Sequence, residues 1–255
     1  MTPKMRQALH QEVKAALKEL RLSTCMAELC AKDATPGQEE FLLYALKEEK
    51  KARERKKRQR YMERAGFPTY KTLQDYTYEK VTFPPTFSKE EMVTCDFIRE
   101  HKNLVLYGPV GTGKTHLAIG LGLSACMQGL KVRFFSVTEL VLKLAEARQK
   151  GTLEKLTQTL AKQDLLILDE WGYVPVERDG SQLLFRIVAD SYEKRSLILT
   201  TNLEFSRWGS IFTDEQMAAA MIDRLAHHGH LLLFQGRSYR MEHALMRQDV
   251  VGEAS

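Results

Sequence analysis

The residues best suited to chemistry form a glycine-rich octet near the middle of the chain. In it, two glycines flank four residues and are followed by lysine and threonine, in the order Gly108, Pro109, Val110, Gly111, Thr112, Gly113, Lys114 and Thr115. This spacing is the P-loop pattern, in which glycines let backbone N–H groups turn toward phosphate oxygens. The lysine can reach the β- and γ-phosphates, and the threonine hydroxyl can ligate Mg²⁺. The octet therefore predicts a site for a nucleoside triphosphate with Mg²⁺.

The segments on either side of the octet favour this interpretation. An apolar run at 103–107 precedes it, and a segment typical of a helix follows it, beginning with His116. A strand, turn and helix in this order place the positive end of the helix dipole behind the phosphates. The alternative is a purely structural turn between strand and helix. We include His116 among the residues expected to line the nucleotide.

A second constellation lies 55 residues after Lys114, where an apolar run ends in Asp169 and Glu170. Ligands of parallel sheets gather at the C-terminal ends of the strands, so both carboxylates are expected beside the octet. Asp169 can hold Mg²⁺ together with Thr115, and Glu170 can orient and deprotonate an attacking water. The pair favours hydrolysis over transfer to a small molecule. An exposed Asp-Glu turn is the alternative.

Two further polar residues follow later elements. Asn202 ends the next apolar run, where an amide could bridge the γ-phosphate and the water, although asparagine is also common in turns. Arg224, late in a predicted helix, could stabilise transition-state charge across a subunit boundary, with a surface salt bridge as the alternative. Arg237 and Arg240 are weaker candidates for a phosphate contact. Histidines 227, 228 and 230 have no further ligand that would make a zinc site.

The composition describes a globular chain with one distinctive appendage. Of 255 residues, 44% are hydrophobic, and no run approaches the length of a membrane span. No export signal is apparent, and the four cysteines are scattered, so we expect reduced thiols, a cytoplasmic protein and no membrane partner. Residues 1–65 contain 16 of the 38 Lys and Arg residues but 10 of the 33 Asp and Glu residues, so the basic excess is N-terminal. Such asymmetry indicates a polyanion-binding appendage.

The appendage is predicted to be helical. Apolar residues recur at helical spacing over 4–21, a short helix is expected at 24–31, and a long one at 36–65. Thr35, Pro36 and Gln38 form the start signal of the long helix. We therefore predict an all-α domain at 1–66 and a nucleotide-binding domain at 67–255. An aromatic, loop-like segment at 69–85 is expected to act as a linker that wraps onto the nucleotide-binding domain.

The second half of the long helix carries the basic excess, with nine basic residues among the fourteen at 47–60. Basic side chains on successive turns can neutralise several phosphates of duplex DNA, with little sequence specificity. A solvated helix with Glu-to-Lys pairs is the alternative. The residues expected to contact DNA are Lys50, Arg53, Lys56, Lys57, Arg58 and Arg60.

The remainder of the chain alternates apolar strands and helices. Strands are predicted at 103–107, 131–137, 164–170, 196–202 and 231–234, with helices at 88–100, 115–128, 138–150, 153–162, 181–194 and 214–228. Continuous apolar strands separated by helices predict an α/β fold with a parallel five-stranded sheet covered on both faces.

Taken together, the motifs resemble an AAA+ ATPase. The matching segments are the P-loop at 108–115, Leu-Asp-Glu at 168–170, Thr-Thr-Asn at 200–202 and Asp-Arg-Leu at 223–225. The extra helix pair at 138–162 resembles the initiator and helicase-loader branch. Within it the chain is most similar to the IstB-like transposition helper ATPases of bacterial insertion sequences, through Ala-Gly-Phe-Pro at 65–68, the P-loop with its His-Leu-Ala continuation, and Gly-Arg-Ser-Tyr-Arg at 236–240.

The resemblance implies an ATPase that assembles with itself on duplex DNA and recruits a transposase. It implies that Lys114 and Thr115 bind phosphate and Mg²⁺, that Asp169 and Glu170 are the acids, that Asn202 senses the γ-phosphate and that Arg224 is donated to a neighbour. About twenty residues follow Phe234, too few for the full helical lid of many AAA+ proteins. A helicase loader similar to DnaC is the nearest alternative, and a non-hydrolysing nucleotide switch or small-molecule kinase is a third.

Overall fold

The computed structural model describes residues 1–172, 178–212 and 214–242, and the chain divides into two compact units. The first is Met1–Gln59 and the second Arg60–Ser255. The expectation about a missing lid partly concerns residues 243–255, which lie outside the described residues.

The first unit is built from helices, as predicted. They are α1 (Pro3–Glu19), α2 (Cys25–Asp33) and most of α3 (Pro36–Ala65). Thr2 caps α1 by accepting a hydrogen bond from the Met5 N–H. At the start of α3, the Thr35 N–H donates to Gln38 Oε1 (2.8 Å) and the Gln38 N–H donates to Thr35 Oγ1 (3.4 Å), which confirms the predicted start signal.

The interior of the first unit is small and contains one buried acid. Its apolar core consists of Val13, Leu17, Leu20, Ala27, Leu43 and Leu46. Glu39 is fully buried beside it, with His10 Nδ1 at 3.1 Å and Arg6 Nε at 3.9 Å from its carboxylate. A buried carboxylate needs such partners because its desolvation is costly. The contacts therefore fix α3 to α1.

The second unit is organised around a sheet that, within the described residues, has six strands. They are β1 (Val81–Thr82), β2 (Asn103–Tyr107), β3 (Val132–Ser136), β4 (Leu165–Trp171), β5 (Ser196–Thr201) and β6 (Gly229–Phe234), in the order β1-β6-β2-β5-β4-β3. The five predicted strands are parallel, and β1 pairs antiparallel with β6. The expected loop at 69–85 thus adds a sixth strand of two residues, too short to produce an alternating pattern.

The helices of the second unit follow the predicted alternation with local differences. Those described are α4 (Lys89–Val93), α5 (Asp96–Arg99), α6 (Lys114–Met127), α7 (Val137–Gln149), α8 (Leu153–Ala161), α9 (Arg178–Ser191), α10 (Gly209–Phe212), α11 (Glu215–His227) and α12 (Tyr239–Glu242), with a 3₁₀ turn at Phe205–Arg207. The prediction of a single helix at 88–100 is wrong. This segment forms two helices, α4 and α5, because Cys95 between them adopts a left-handed conformation (φ 61°).

The sheet lies between two layers of helices, so its apolar strands are buried on both faces. Ile167 and Ile198 pack with α6 on one face, whereas Leu166 and Leu197 pack with α7, α9 and α11 on the other. The last turns of α3 also belong to this unit, because Tyr61 and Met62 pack against the first of these clusters. The second unit therefore starts at Arg60, within α3, rather than after it.

Two further observations concern membrane-spanning helices and the cysteines. Among the described residues, we find no helix with both the length and the apolar character needed to cross a bilayer. All four cysteines lie in the described residues and are free thiols. Burial raises the pKa of Cys95 to about 11 and that of Cys126 to about 12, so both behave as packing residues.

Candidate nucleotide-binding and hydrolysis site

The glycine-rich octet forms the predicted turn between a strand and a helix. β2 ends at Tyr107, and α6 begins at Lys114 after a left-handed Gly113 (φ 97°). The Gly108 N–H donates to the Thr201 carbonyl at the end of β5 (3.2 Å), which anchors the loop at the C-terminal edge of the sheet. Thr112 Oγ1 closes the turn by donating to the Pro109 carbonyl (2.8 Å), while Val110 remains exposed. The N-terminus of α6 therefore faces the loop, as an anion site requires.

Lys114 is buried within the loop. Its Nζ donates to the carbonyls of Gly108 and Pro109, both at 2.7 Å. Burial lowers its pKa to about 8, with Arg240 adding to this effect and Asp169 opposing it. A bound phosphate would stabilise this desolvated ammonium strongly, because a full negative charge would then face it instead of the partial charges of two carbonyl oxygens.

This pKa predicts a pH dependence of nucleotide binding. Above pH 8 the free protein must take up a proton at Lys114 before the ammonium can bind phosphate, so the Kd should rise by up to about tenfold per pH unit there. Tyr76, beside the loop, stays neutral because burial raises its pKa. Titration with a fluorescent ATP analogue from pH 7 to 9.5 measures this. Lys150→Met should retain the rise and Lys114→Met should lose tight binding, whereas a flat wild-type profile would contradict the lowered pKa.

Asp169 lies in a hydrogen-bonded cluster with the loop threonine, as the sequence predicts. Thr115 Oγ1 donates to Asp169 Oδ1 at 2.9 Å, and Thr200 Oγ1 donates to the same oxygen at 2.5 Å. Asp169 is 6% exposed, at the C-terminal end of β4. Oxygen donors from one hydroxyl and one carboxylate fit Mg²⁺, which prefers few protein ligands and completes its shell with phosphate and water. Thr115 and Asp169 are thus the residues that would hold it.

Glu170 has an unusual backbone conformation. Its φ is 62°, and the β4–β5 register shifts between Leu168 and Trp171, so Glu170 sits at a bulge. The Glu170 N–H donates to Thr200 Oγ1 at 3.0 Å, and its side chain is exposed. Bulges change the direction of side chains. A left-handed conformation of a non-glycine residue is strained, and such strain is common at functional sites. The structure therefore has an exposed second acid, Glu170, in a left-handed conformation directly after the buried Asp169.

Asn202 follows directly on the strand that contacts the loop. It is exposed, immediately after β5. Its neighbour Thr201 is buried and donates from Oγ1 to the Trp171 carbonyl (2.8 Å). Asn202 is therefore at the same edge of the sheet as Gly108 and Asp169.

Arg224 lies elsewhere in the same unit. Its guanidinium donates to the Ala220 carbonyl (2.8 Å) and lies 5.3 Å from the centre of the Phe185 ring. α11 leads into β6, whose first residue pairs with Asn103 at the start of β2. The loop begins beyond the other end of β2, about 13 Å along a five-residue strand. The structure thus does not bring Arg224 to the loop of its own chain.

The segment after β6 packs on the loop, which the sequence indicated only through Arg237 and Arg240 as candidate phosphate contacts. The Tyr239 N–H donates to the Gly111 carbonyl at 3.0 Å. A Cβ at Gly111 (φ 80°) would lie 2.0 Å from Ser238 Oγ, so glycine is required there for this contact. Both Arg237 and Arg240 are exposed, and the charge of Arg240, on α12, helps to lower the pKa of Lys114. Of the two arginines, Arg240 is the one that the structure relates to the loop.

The aromatic segment before α4 covers the first turns of α6. Tyr76 Oη lies 3.4 Å from the Gly113 carbonyl, and its ring lies 5.1 Å from that of His116. His116 Nε2 is hydrogen-bonded with the Thr72 carbonyl (2.9 Å), so its side chain contacts this segment. The structure therefore gives His116 packing partners in this segment, and its contact with the nucleotide stays a prediction.

The basic residues of α3 differ in their surroundings. Lys50 pairs with Glu19 at 2.6 Å, and Arg53 pairs with Glu49 at 2.6 Å while donating to the Leu20 carbonyl at 2.8 Å. These contacts hold α3 within the first unit. The basic residues later in α3 have exposed or half-exposed side chains. They are Arg55, Lys56, Lys57, Arg58 and Arg60.

Fold and site together define a P-loop ATP-binding protein with the AAA+ fold. Similar solved structures are the DnaC helicase loader (20% identity, TM-score 0.52, covering 69% of this chain and 99% of that one) and DnaI (20%, 0.52, covering 67% and 90%). AMPPCP-bound DnaA from Aquifex aeolicus is also similar, with 21% identity and a TM-score of 0.50, over 72% of this chain and 55% of that one. At these identities the likeness concerns the fold alone.

The chain belongs to the family described as IstB-like ATP binding protein, whose profile matches residues 13–246. A relative is the ATP-binding protein of insertion sequence IS21 from Pseudomonas aeruginosa, 39% identical over 206 residues, which cover 80% of this chain and 77% of that protein. Another is the ATP-binding protein of insertion sequence IS5376 from Geobacillus stearothermophilus, 34% identical and covering 82% and 84%.

Proposed function

We propose that this protein hydrolyses ATP with Mg²⁺. The observation that carries the proposal is the cluster of Thr115, Asp169, Glu170 and Thr200 at one edge of the sheet. Mg²⁺, held by Thr115 and Asp169, would neutralise phosphate charge. Glu170, exposed at its bulge, would accept a proton from the attacking water, and Asn202 would orient that water against the γ-phosphate. Arg240 would add a phosphate contact beside Lys114.

We infer that the complete site forms only between two copies of the chain. Arg224 lies toward the opposite edge of the sheet from the loop of its own chain, so a role at ATP requires a neighbour. An arginine supplied in this way stabilises charge in the transition state of phosphoryl transfer. ATP would then join adjacent subunits.

A complementation experiment tests this shared site. Glu170→Gln and Arg224→Ala should each abolish turnover alone, but a mixture should recover activity. In the mixture, an Arg224→Ala subunit keeps its Glu170 and receives Arg224 from a Glu170→Gln neighbour. We expect recovery of about a quarter of wild-type turnover at equal concentrations, because random pairing creates that share of complete sites. Arg186→Ala, on α9, is the matched arginine control and should be active alone. No recovery in the mixture would contradict a shared site.

We further propose that the basic part of α3 binds duplex DNA without reading its sequence and that the ATP-joined subunits assemble along it. The support is the concentration of positive charge at 55–60, where the basic side chains are exposed or half-exposed. Such contacts go to phosphates, which carry no direct sequence information. This activity would be exerted in the bacterial cytoplasm.

The partner that we propose is a transposase, which the assembly would help to engage target DNA. The support is family membership together with relatives named as insertion-sequence proteins. The alternative, a loader of a replicative helicase, has only the likeness of fold to the DnaC helicase loader. A transposase gene directly upstream would favour this choice, and co-purification of the protein with its product, in ATP and duplex DNA, tests it. Binding to a replicative helicase instead would reverse it.

A further inference from the structure

Thr200 is a buried hydroxyl that contacts both carboxylates of the candidate site. It lies within β5 and is 2% exposed. Its Oγ1 donates to Asp169 Oδ1 at 2.5 Å and accepts the Glu170 N–H at 3.0 Å. The sequence reasoning grouped Thr200 with Asn202 only as part of a motif and gave it no role of its own.

The hydrogen-bonding capacity of the hydroxyl matches these two contacts. An ionised carboxylate only accepts, so the hydroxyl proton must go to Asp169, and its lone pairs are left for the Glu170 N–H. That N–H needs a partner because the bulge removes Glu170 from regular pairing with β5. One side chain thus supports the orientation of the first carboxylate and the backbone conformation of the second.

Thr115 cannot take over this task. It also donates to Asp169 Oδ1, but its hydroxyl is itself a candidate ligand of Mg²⁺ and belongs to the loop that binds phosphate. Thr200 lies on a different element, the strand that continues into Asn202. Its contact with Asp169 can therefore persist when Thr115 engages a metal ion.

We propose that Thr200 is a positioning residue for hydrolysis, one that holds Asp169 ready for Mg²⁺ and fixes the left-handed backbone that presents Glu170. The inference rests on the proposed ATPase function. It assigns to Thr200 an effect on Mg²⁺ dependence and turnover but not on the binding of nucleotide itself. The Thr200 hydroxyl contacts Asp169 and the Glu170 N–H, and the link to the glycine-rich loop runs from Asp169 to Thr115.

The test uses the full chain with three substitutions. Thr200→Val keeps the shape and removes the hydroxyl, and Thr200→Ser keeps the hydroxyl. Thr157→Val is the matched control, since Thr157 is also buried but donates to the Glu154 carbonyl in α8. Partners of ligating carboxylates typically affect metal affinity or activity by about 10–100-fold. We expect Thr200→Val to lower kcat and to raise the Mg²⁺ concentration for half-saturation by that factor, with Thr200→Ser and Thr157→Val near wild type.

Two measurements separate this inference from the ATPase proposal. One is turnover, and the other is the Mg²⁺ titration of a bound fluorescent ATP analogue, with binding in EDTA as the reference. A wild-type protein without turnover would refute hydrolysis, and the titration would still decide the role of Thr200. Wild-type Mg²⁺ response in Thr200→Val, or failure of Thr200→Ser to restore it, would overturn the inference. If Thr200→Val does not melt cooperatively, Thr200→Ala takes its place under the same criteria.

Discussion

Replacing Glu170 by Gln is expected to lower kcat for ATP by about 10²–10⁴-fold, because the amide cannot accept the proton of the attacking water. Nucleotide binding should change little. Glu170 is exposed at the bulge, whereas the contacts of the loop are made by Lys114, Thr115 and backbone groups. Steady-state turnover and the Kd of a fluorescent ATP analogue, measured on the same preparation, separate the two effects.

Glu204→Gln is the control for this substitution. Glu204 is also an exposed glutamate after a strand of the same sheet, next to the 3₁₀ turn. It should retain wild-type turnover. Normal hydrolysis by Glu170→Gln would remove Glu170 as the base. It would favour a nucleotide switch, or a kinase that uses another base, as the class of protein.

Reversing the charge of Lys56, Lys57 and Arg58 to Glu is expected to weaken binding to duplex DNA on the order of 100-fold or more at moderate salt. Each lost phosphate contact should also reduce the slope of log K against log salt by about 0.9. ATP binding in the absence of DNA should be unchanged, because the nucleotide site is built from residues of the second unit. Filter binding across a salt series measures both quantities.

The control places the same change of charge elsewhere in the first unit. Lys4, Lys18 and Lys32 are exposed on α1 and α2, and their joint replacement by Glu alters the net charge equally. If position matters, this control should keep most of its affinity and salt slope. Equal losses in both triple variants would mean that overall charge, not the basic part of α3, governs binding.

The strands and helices that carry the nucleotide site could be predicted from the sequence. There the apolar pattern of each segment and the arrangement of the whole sheet indicate the same elements. Because the loop has to lie at the edge of the sheet, the apolar run before Gly108 is expected to be a buried strand. The structure has this strand, β2, at 103–107 as predicted. The approach of Asp169 to Thr115 follows from the rule that parallel strands end together. The structure gives that pair a distance of 2.9 Å.

Other features depend on contacts between distant segments, which no local pattern contains. The position of Ser238 against Gly111 results from how the chain returns after β6. β1 forms through the pairing of Val81 and Thr82 with Phe234 and Leu233, about 150 residues later in the chain. The left-handed backbone at Glu170 likewise arises from the mismatch between β4 and β5, and neither glycine nor asparagine marks it in the sequence. The role of Thr200 could be seen only after these strands were aligned.

The boundary between the units illustrates the same limit. Ala-Gly-Phe-Pro at 65–68 marks the end of α3, and a helix end is a natural place for a predicted boundary. Tyr61 and Met62 nevertheless pack in the second unit, so one continuous helix belongs to both. Helical periodicity continues across such a point, and only the packing identifies it.

Electron microscopy of the protein on linear duplex DNA tests most directly whether ATP joins subunits into an assembly on DNA. The Glu170→Gln variant with ATP and Mg²⁺ should form regular arrays of bound subunits, because ATP persists at each shared site. With ADP the arrays should be absent, and Arg224→Ala should form none in either nucleotide. Arrays of equal length and regularity in ADP and ATP, or isolated subunits on DNA in ATP, would contradict the account.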